Sequence, residues 1–198
     1  MKYFGSAVLA LQLFHETATS KPITPRQLPT RSECPSESSY PTAFSLQAIE
    51  VATNSTMVLA PVDNISFDEP GTWYLGGGTD FTFNLTDYNL AIGNAPCGFQ
   101  GYETSSGTLG VPKCSVQPGG RGQLNPYFSI GYSDTLGISI LQLAHPNVTG
   151  AGSACGEFAT SDWGPYGEVY MNITTCGSFP AGYDPIIVQI IPVNGTQS

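Results

Sequence analysis

The stretch SDWGPYGEVY, residues 161–170, collects the residue types with the most chemical reach in the chain. It holds two carboxylates, Asp162 and Glu168, and two large aromatics, Trp163 and Tyr166. Two carboxylates flanking a glycosidic bond are the minimal equipment of a glycoside hydrolase, one as acid and the other as base or nucleophile. Acids are equally at home in a solvated turn, and Gly164, Pro165 and Gly167 predict such a turn between these two. The aromatic faces of Trp163 and Tyr166 offer wide contact area at low entropic cost, suited to a sugar ring or a protein partner. They suit capping the end of a β-core as well. Binding is assigned to Trp163 and Tyr166, with a carboxylate-dependent glycosidase as the lesser alternative.

Other chemistries lack parts. The two histidines are His15 and His145. Copper binding through both would need His15 as a mature N-terminus, hence cleavage after Phe14, a poor peptidase site. His145, in LAHPNVT, then stands by a turn proline and reads as a satisfied loop residue. There is no Cys/His metal spacing and no Ser, His and Asp set with a usable base, so no metal, cofactor or catalytic residue is expected. YLGGGTDF has no lysine and no following helical pattern, and is a turn instead of a phosphate loop.

Charge narrows the partners. The 198 residues carry 15 Asp and Glu against 6 Lys and Arg, a formal net charge of -9. From Cys34 onward Lys113 and Arg121 are the only lysine and arginine. An acidic surface repels phosphate backbones and anionic lipid, so neither nucleic acid nor a membrane surface is an expected partner.

Lys2, the apolar run Tyr3 to Phe14, and the small residues Ala18 and Ser20 describe a secretory signal over residues 1–20. That run is shorter than the roughly 20 apolar residues needed to span a bilayer. Residues 21–40 hold four prolines and no apolar period, and read as a flexible arm or short propeptide. Residues 41–198 are expected to form a single β domain of an exported, soluble protein.

Six N-x-[ST] acceptors, at Asn54, Asn64, Asn84, Asn147, Asn172 and Asn194, fit passage through a eukaryotic secretory route. They also report on faces, because a glycan must point outward and strand side chains alternate. In DFTFNLTD, Phe81, Phe83 and Leu85 share one face while Thr82, Asn84 and Thr86 share the other. In EVYMNITTC, Val169, Met171 and Ile173 face in, and Tyr170 and Asn172 face out.

The elements that must position all of this are strands. No 3.6-residue apolar period persists, whereas short β-branched and aromatic runs recur between Gly, Pro, Asn and Asp. Strands are expected at 42–51, 56–60, 64–67, 72–75, 80–86, 88–93, 111–116, 127–132, 136–143, 155–160, 167–174 and 185–191. The fold class is all-β, an antiparallel sandwich or barrel of ten to twelve short strands. PIIVQIIP is apolar on both faces and suits a central strand, with Pro185 and Pro192 marking where pairing stops.

Five cysteines allow two bridges and one residue left over. Cys97 and Cys114 bracket a Gly/Ser-rich excursion, and Cys155 and Cys176 bracket a second hairpin-like segment. Spacing therefore favours the pairs Cys97–Cys114 and Cys155–Cys176, each closure contributing about 3 kcal/mol in the chain-entropy model. Cys34, on the arm, is the remainder.

One N-terminal cysteine, two sequential pairs and a closing hydrophobic strand, IIVQIIPV, resemble the fungal Alternaria-allergen-like family of secreted β-barrel proteins. The resemblance spans roughly residues 34 to 193 and rests on cysteine order and strand rhythm. It implies the same two intrachain bridges, a disulfide-linked homodimer through Cys34, and a non-enzymatic role in host interaction. The chain differs from that family in its longer linker, wider cysteine spacings and heavier sequon load. The expectation is a secreted, glycosylated, non-enzymatic protein of effector or elicitor type, meeting an extracellular protein or polysaccharide. The alternative is a carbohydrate-binding or cell-wall-associated module.

Overall fold

The computed structural model describes residues 40–61, 71–76, 81–104, 107–115, 128–143, 158–172 and 179–193. Among them no helix occurs, and twelve strands form one antiparallel system. In chain order these are β1 (Phe44–Glu50), β2 (Thr56–Pro61), β3 (Gly71–Leu75), β4 (Phe83–Thr86), β5 (Asn89–Ile92) and β6 (Ala95–Thr104). The second half adds β7 (Gly107–Cys114), β8 (Phe128–Ser133), β9 (Ile138–Leu143), β10 (Phe158–Thr160), β11 (Val169–Asn172) and β12 (Asp184–Pro192).

Eight of them close into a barrel, in the order β1-β4-β5-β6-β7-β11-β10-β12 and back to β1. The last step is the longest zipper in the wall to involve β1, running from Phe44↔Pro192 to Glu50↔Ile186. β2 and β3 share the edges of β1 and β7 with the ring strands, pairing over Leu46↔Leu59 to Ile49↔Thr56 and over Gly71↔Cys114. β8 and β9 form a hairpin joined to β12 at Gln189↔Ile140. The choice left open between sandwich and barrel therefore falls to the barrel. Closure removes the unpaired ladder groups that an open sheet would leave along its edges.

Inward side chains from every ring strand meet in one core built on aromatic rings. Trp73, fully buried, packs edge-on to Phe83 at 5.5 Å and stacks near Phe128 at 6.1 Å and Phe158 at 6.5 Å. Phe44 and Phe83 stack at 6.3 Å. Alternation explains the selection: Trp73 and Leu75, Phe83 and Leu85, Val169 and Met171 all point inward at a period of two. Thr82 and Thr86 are exposed on the opposite side of the β4 segment, as the sequon argument requires.

β12 is buried on both faces. Ile186, Val188 and Ile190 enter the main core, while Ile187 joins Ile49 and Ile140 in a second apolar cluster on the other face of the wall. Its two prolines behave differently: Pro192 is the last paired residue of the strand, as expected, whereas Pro185 does not end the pairing. Pro185 stands opposite Ala159 with Asp184↔Thr160 beyond it, and Pro192 stands opposite Phe44. Each proline has a single strand neighbour in the ladder, β10 for Pro185 and β1 for Pro192, an edge-like setting in which a residue without an N–H is tolerated.

A larger correction concerns residues 95–104. The hairpin-like reading of the segment from Cys97 to Cys114 holds, but the sequence predicts no strand at 95–104, where β6 pairs with β7 from Cys97↔Cys114 to Thr104↔Gly107. Gly101 stands directly opposite Gly110. Glycine reads as turn chemistry in a sequence, yet two glycines across a ladder pair normally when neighbouring strands hold them. The strand expected at 64–67 lies outside the described residues.

Candidate functional site

The Cys97–Cys114 bridge is present, joining directly opposed residues of β6 and β7 with Cα atoms 3.9 Å apart. Both cysteines are fully buried, and the indole N–H of Trp73 donates to Cys114 Sγ at 3.2 Å. Cys155, Cys176 and Cys34 lie outside the described residues, as do His15, His145, Asn64, Asn147 and Asn194. Asn84 is half-buried on β4 opposite Ala91, and Asn172 is in register with Leu109 on β11. Asn54 closes the β1–β2 turn in the left-handed region, at φ 59°, with its N–H donating to the Glu50 carbonyl at 2.8 Å. Asparagine is among the residues that tolerate that conformation best.

The loop 161–168 connects β10 to β11, and its shape is fixed from two sides. From below, the buried Thr160 hydroxyl lies 2.8 Å from the Asp162 carbonyl and 3.0 Å from the Glu168 carbonyl. It also accepts the Asp162 N–H at 3.2 Å. One hydroxyl thus ties both ends of the loop together, a local side-chain-to-backbone pattern characteristic of threonine at turns. From the side, the end of β3 completes the ladder: Tyr166 N–H donates to the Leu75 carbonyl at 2.6 Å, and Leu75 N–H donates to the Gly167 carbonyl at 2.9 Å. Gly167 is required by space, because a Cβ there would come within 2.0 Å of the Asp162 carbonyl oxygen.

This construction separates the two predicted aromatics. Trp163 is half-buried and packs against the main core, the capping role. Tyr166 leaves the core altogether: the residue is 68% exposed and its backbone is held at φ 68°. A tyrosine in the left-handed region is unfavourable in isolation, and here the two hydrogen bonds to Leu75 hold it.

Glu168 continues from the loop into the wall as the bridge partner of Tyr74 on β3. Two residues along β11 on the same face, the Tyr170 hydroxyl donates to Glu168 Oε2 at 2.5 Å. The Tyr170 ring in turn meets Tyr183, just before β12, edge-on at 4.9 Å. Burial, then the hydrogen bond to Glu168 and the charge of its carboxylate, push the Tyr170 phenol up to about 12. Burial and the same carboxylate also raise Tyr74. Both phenols are therefore neutral hydrogen-bonding groups at any physiological pH.

The chain matches no family model, no curated protein and no solved structure. The surface must accordingly be judged by its own chemistry. Asp162 and Glu168 occupy the two ends of one turn; the Asp162 carboxylate folds back toward Gly164, and that of Glu168 is engaged by Tyr170. Tyr74 and Tyr183 were not singled out in sequence, and Tyr170 only as an outward-facing strand residue. The alternation of TWYL and EVYMN places Tyr74 and Tyr170 on outward faces, but nothing in sequence shows that β3 and β11 lie side by side.

Proposed function

We propose that this protein acts outside the cell as a non-catalytic recognition protein, of the effector or elicitor kind, exported by a fungal cell. The observation that carries the reading is Tyr166, a large aromatic exposed to solvent on a turn whose backbone is hydrogen-bonded to Leu75 on both sides of the residue's carbonyl. An aromatic kept in a strained conformation and away from the core contributes little to stability and much to contact with a partner. Support for export comes from the signal-like residues 1–20, the six sequons and the buried disulfide, which belongs to oxidising compartments. Cys34, outside both hairpin-like pairs, provides for a disulfide-linked homodimer.

Expression of the full chain in a filamentous fungus tests this directly. The protein is expected in the medium, larger than its polypeptide mass until enzymatic deglycosylation, and as a dimer that reduction or Cys34→Ala converts to monomer. Retention inside the cell without glycans would sink the reading. The carboxylate-dependent glycosidase is checked by incubating the same secreted protein with oligosaccharides, where no new reducing ends are expected.

A further inference from the structure

We infer that the outer wall around Glu168 binds an uncharged polysaccharide chain, with Tyr166 as its stacking platform. This rests on the extracellular reading for its setting and on the local geometry for its chemistry. A pyranose ring presents C–H faces that pack on an aromatic ring, and a rim of hydroxyls that both donate and accept. Tyr166 supplies the ring, exposed on a backbone already held by hydrogen bonds, so little backbone ordering remains to be done on binding.

Polar partners for the rim follow two and four residues further on, at Glu168 and Tyr170. Glu168 is half-buried between Tyr74 and Tyr170. Having accepted one bond from Tyr170, its carboxylate keeps further lone pairs for sugar hydroxyls. The Tyr170 hydroxyl and the Glu168 carboxylate lie 2.5 Å apart, so together they present one polar site to the hydroxyls of a single sugar ring. The edge-on contact of Tyr170 with Tyr183 fixes the ring that carries the first hydroxyl.

Charge selects the class of sugar. The fixed charge at the centre of this surface is a carboxylate, on a chain of net charge -9, so uronic-acid polymers and phosphorylated glycans are repelled. A protein partner is the poorer fit. Stable protein interfaces want about 800 Å² per partner with an apolar centre. Among the described residues the exposed large hydrophobics are Val58, Tyr88, Tyr132, Tyr166 and Val193, and three of these five are tyrosines with polar hydroxyls, a thin apolar centre for such an interface.

Isothermal titration of the secreted protein with cellohexaose, chitohexaose and a hexamer of polygalacturonate decides the matter. At least one neutral hexasaccharide is expected to bind, and the anionic one not to. Tyr166→Asn, which keeps a residue tolerant of positive φ while removing the ring, is expected to weaken binding about tenfold. Tyr170→Phe and Glu168→Gln, which leave shape intact, are expected to weaken it several-fold with unchanged circular dichroism. Binding of neither neutral sugar, tighter binding of the anionic one, or equal binding by all three variants would overturn the proposal. These outcomes are independent of export: a chain found in the medium that ignores neutral sugars refutes the ligand class and leaves the extracellular reading standing. A chain retained in the cell refutes the latter, and the purified protein still answers the former.

Discussion

Tyr170 shows how far a neighbourhood alters a side chain. In the folded protein its phenol keeps its proton to about 12, held by burial and by Glu168, while in the unfolded chain it titrates near 10. Between those values the unfolded state has released a proton that the native state retains, so stability falls as pH rises across that window. Below about pH 10 the contribution is complete. A phenolate absorbance titration is expected to show a late step that Tyr170→Phe removes and Glu168→Gln moves toward pH 10; a titration indifferent to both would refute the assignment. Trp73 is the corresponding residue of the core. It touches three phenylalanines and the disulfide, and Trp73→Ala is expected to lose about 3–5 kcal/mol in denaturant unfolding, with no collapse of the walls able to fill the space.

At the level of elements, the loop 161–168 behaves as an extension of the sheet, not as a mobile connection. The Asp162 amide and the Asp162 and Glu168 carbonyls are taken up by Thr160, and the Tyr166 amide and Gly167 carbonyl by the end of β3. Gly167→Ala is expected to destabilise the fold by at least about 1–3 kcal/mol, because the Asp162 carbonyl cannot retreat without breaking its bond to Thr160. Hydrogen exchange at the Tyr166 amide measures this, and protection equal to that of the parent would refute it. The elements themselves were largely legible. Alternation located β1, β3, β4, β9 and β12, because each buries one face or two in a way that hydrophobic spacing records. β6 was hidden, since Gly98 and Gly101 carry no face and their strand is defined by its partner β7. The same limit governed the site: Tyr166 and Glu168 were visible as neighbours in one turn, whereas Tyr74 joined them through a bridge from 94 positions earlier in the chain, between Tyr74 and Glu168. Pairing across such distances leaves no local mark.

At the largest scale the described residues form a ring whose first and last strands meet. β1 is the first described strand and β12 the last, and their seven-residue ladder closes the barrel. β12 also carries β10 and β9 on its other side. A chain stopped at residue 183 lacks the strand on which three others depend, and it is expected to show no cooperative unfolding transition by calorimetry. A native-like transition in that truncation would mean that the ring is not the unit of stability. The consequence reaches into biosynthesis. A nascent chain emerging from the ribosome holds β1 and its aromatic neighbours for most of its synthesis with no means of completing the wall, so native structure must wait until β12 has emerged. Chaperones would therefore meet this protein as a long unfolded polymer, and a frameshift near its 3′ end would be as damaging as one near the start.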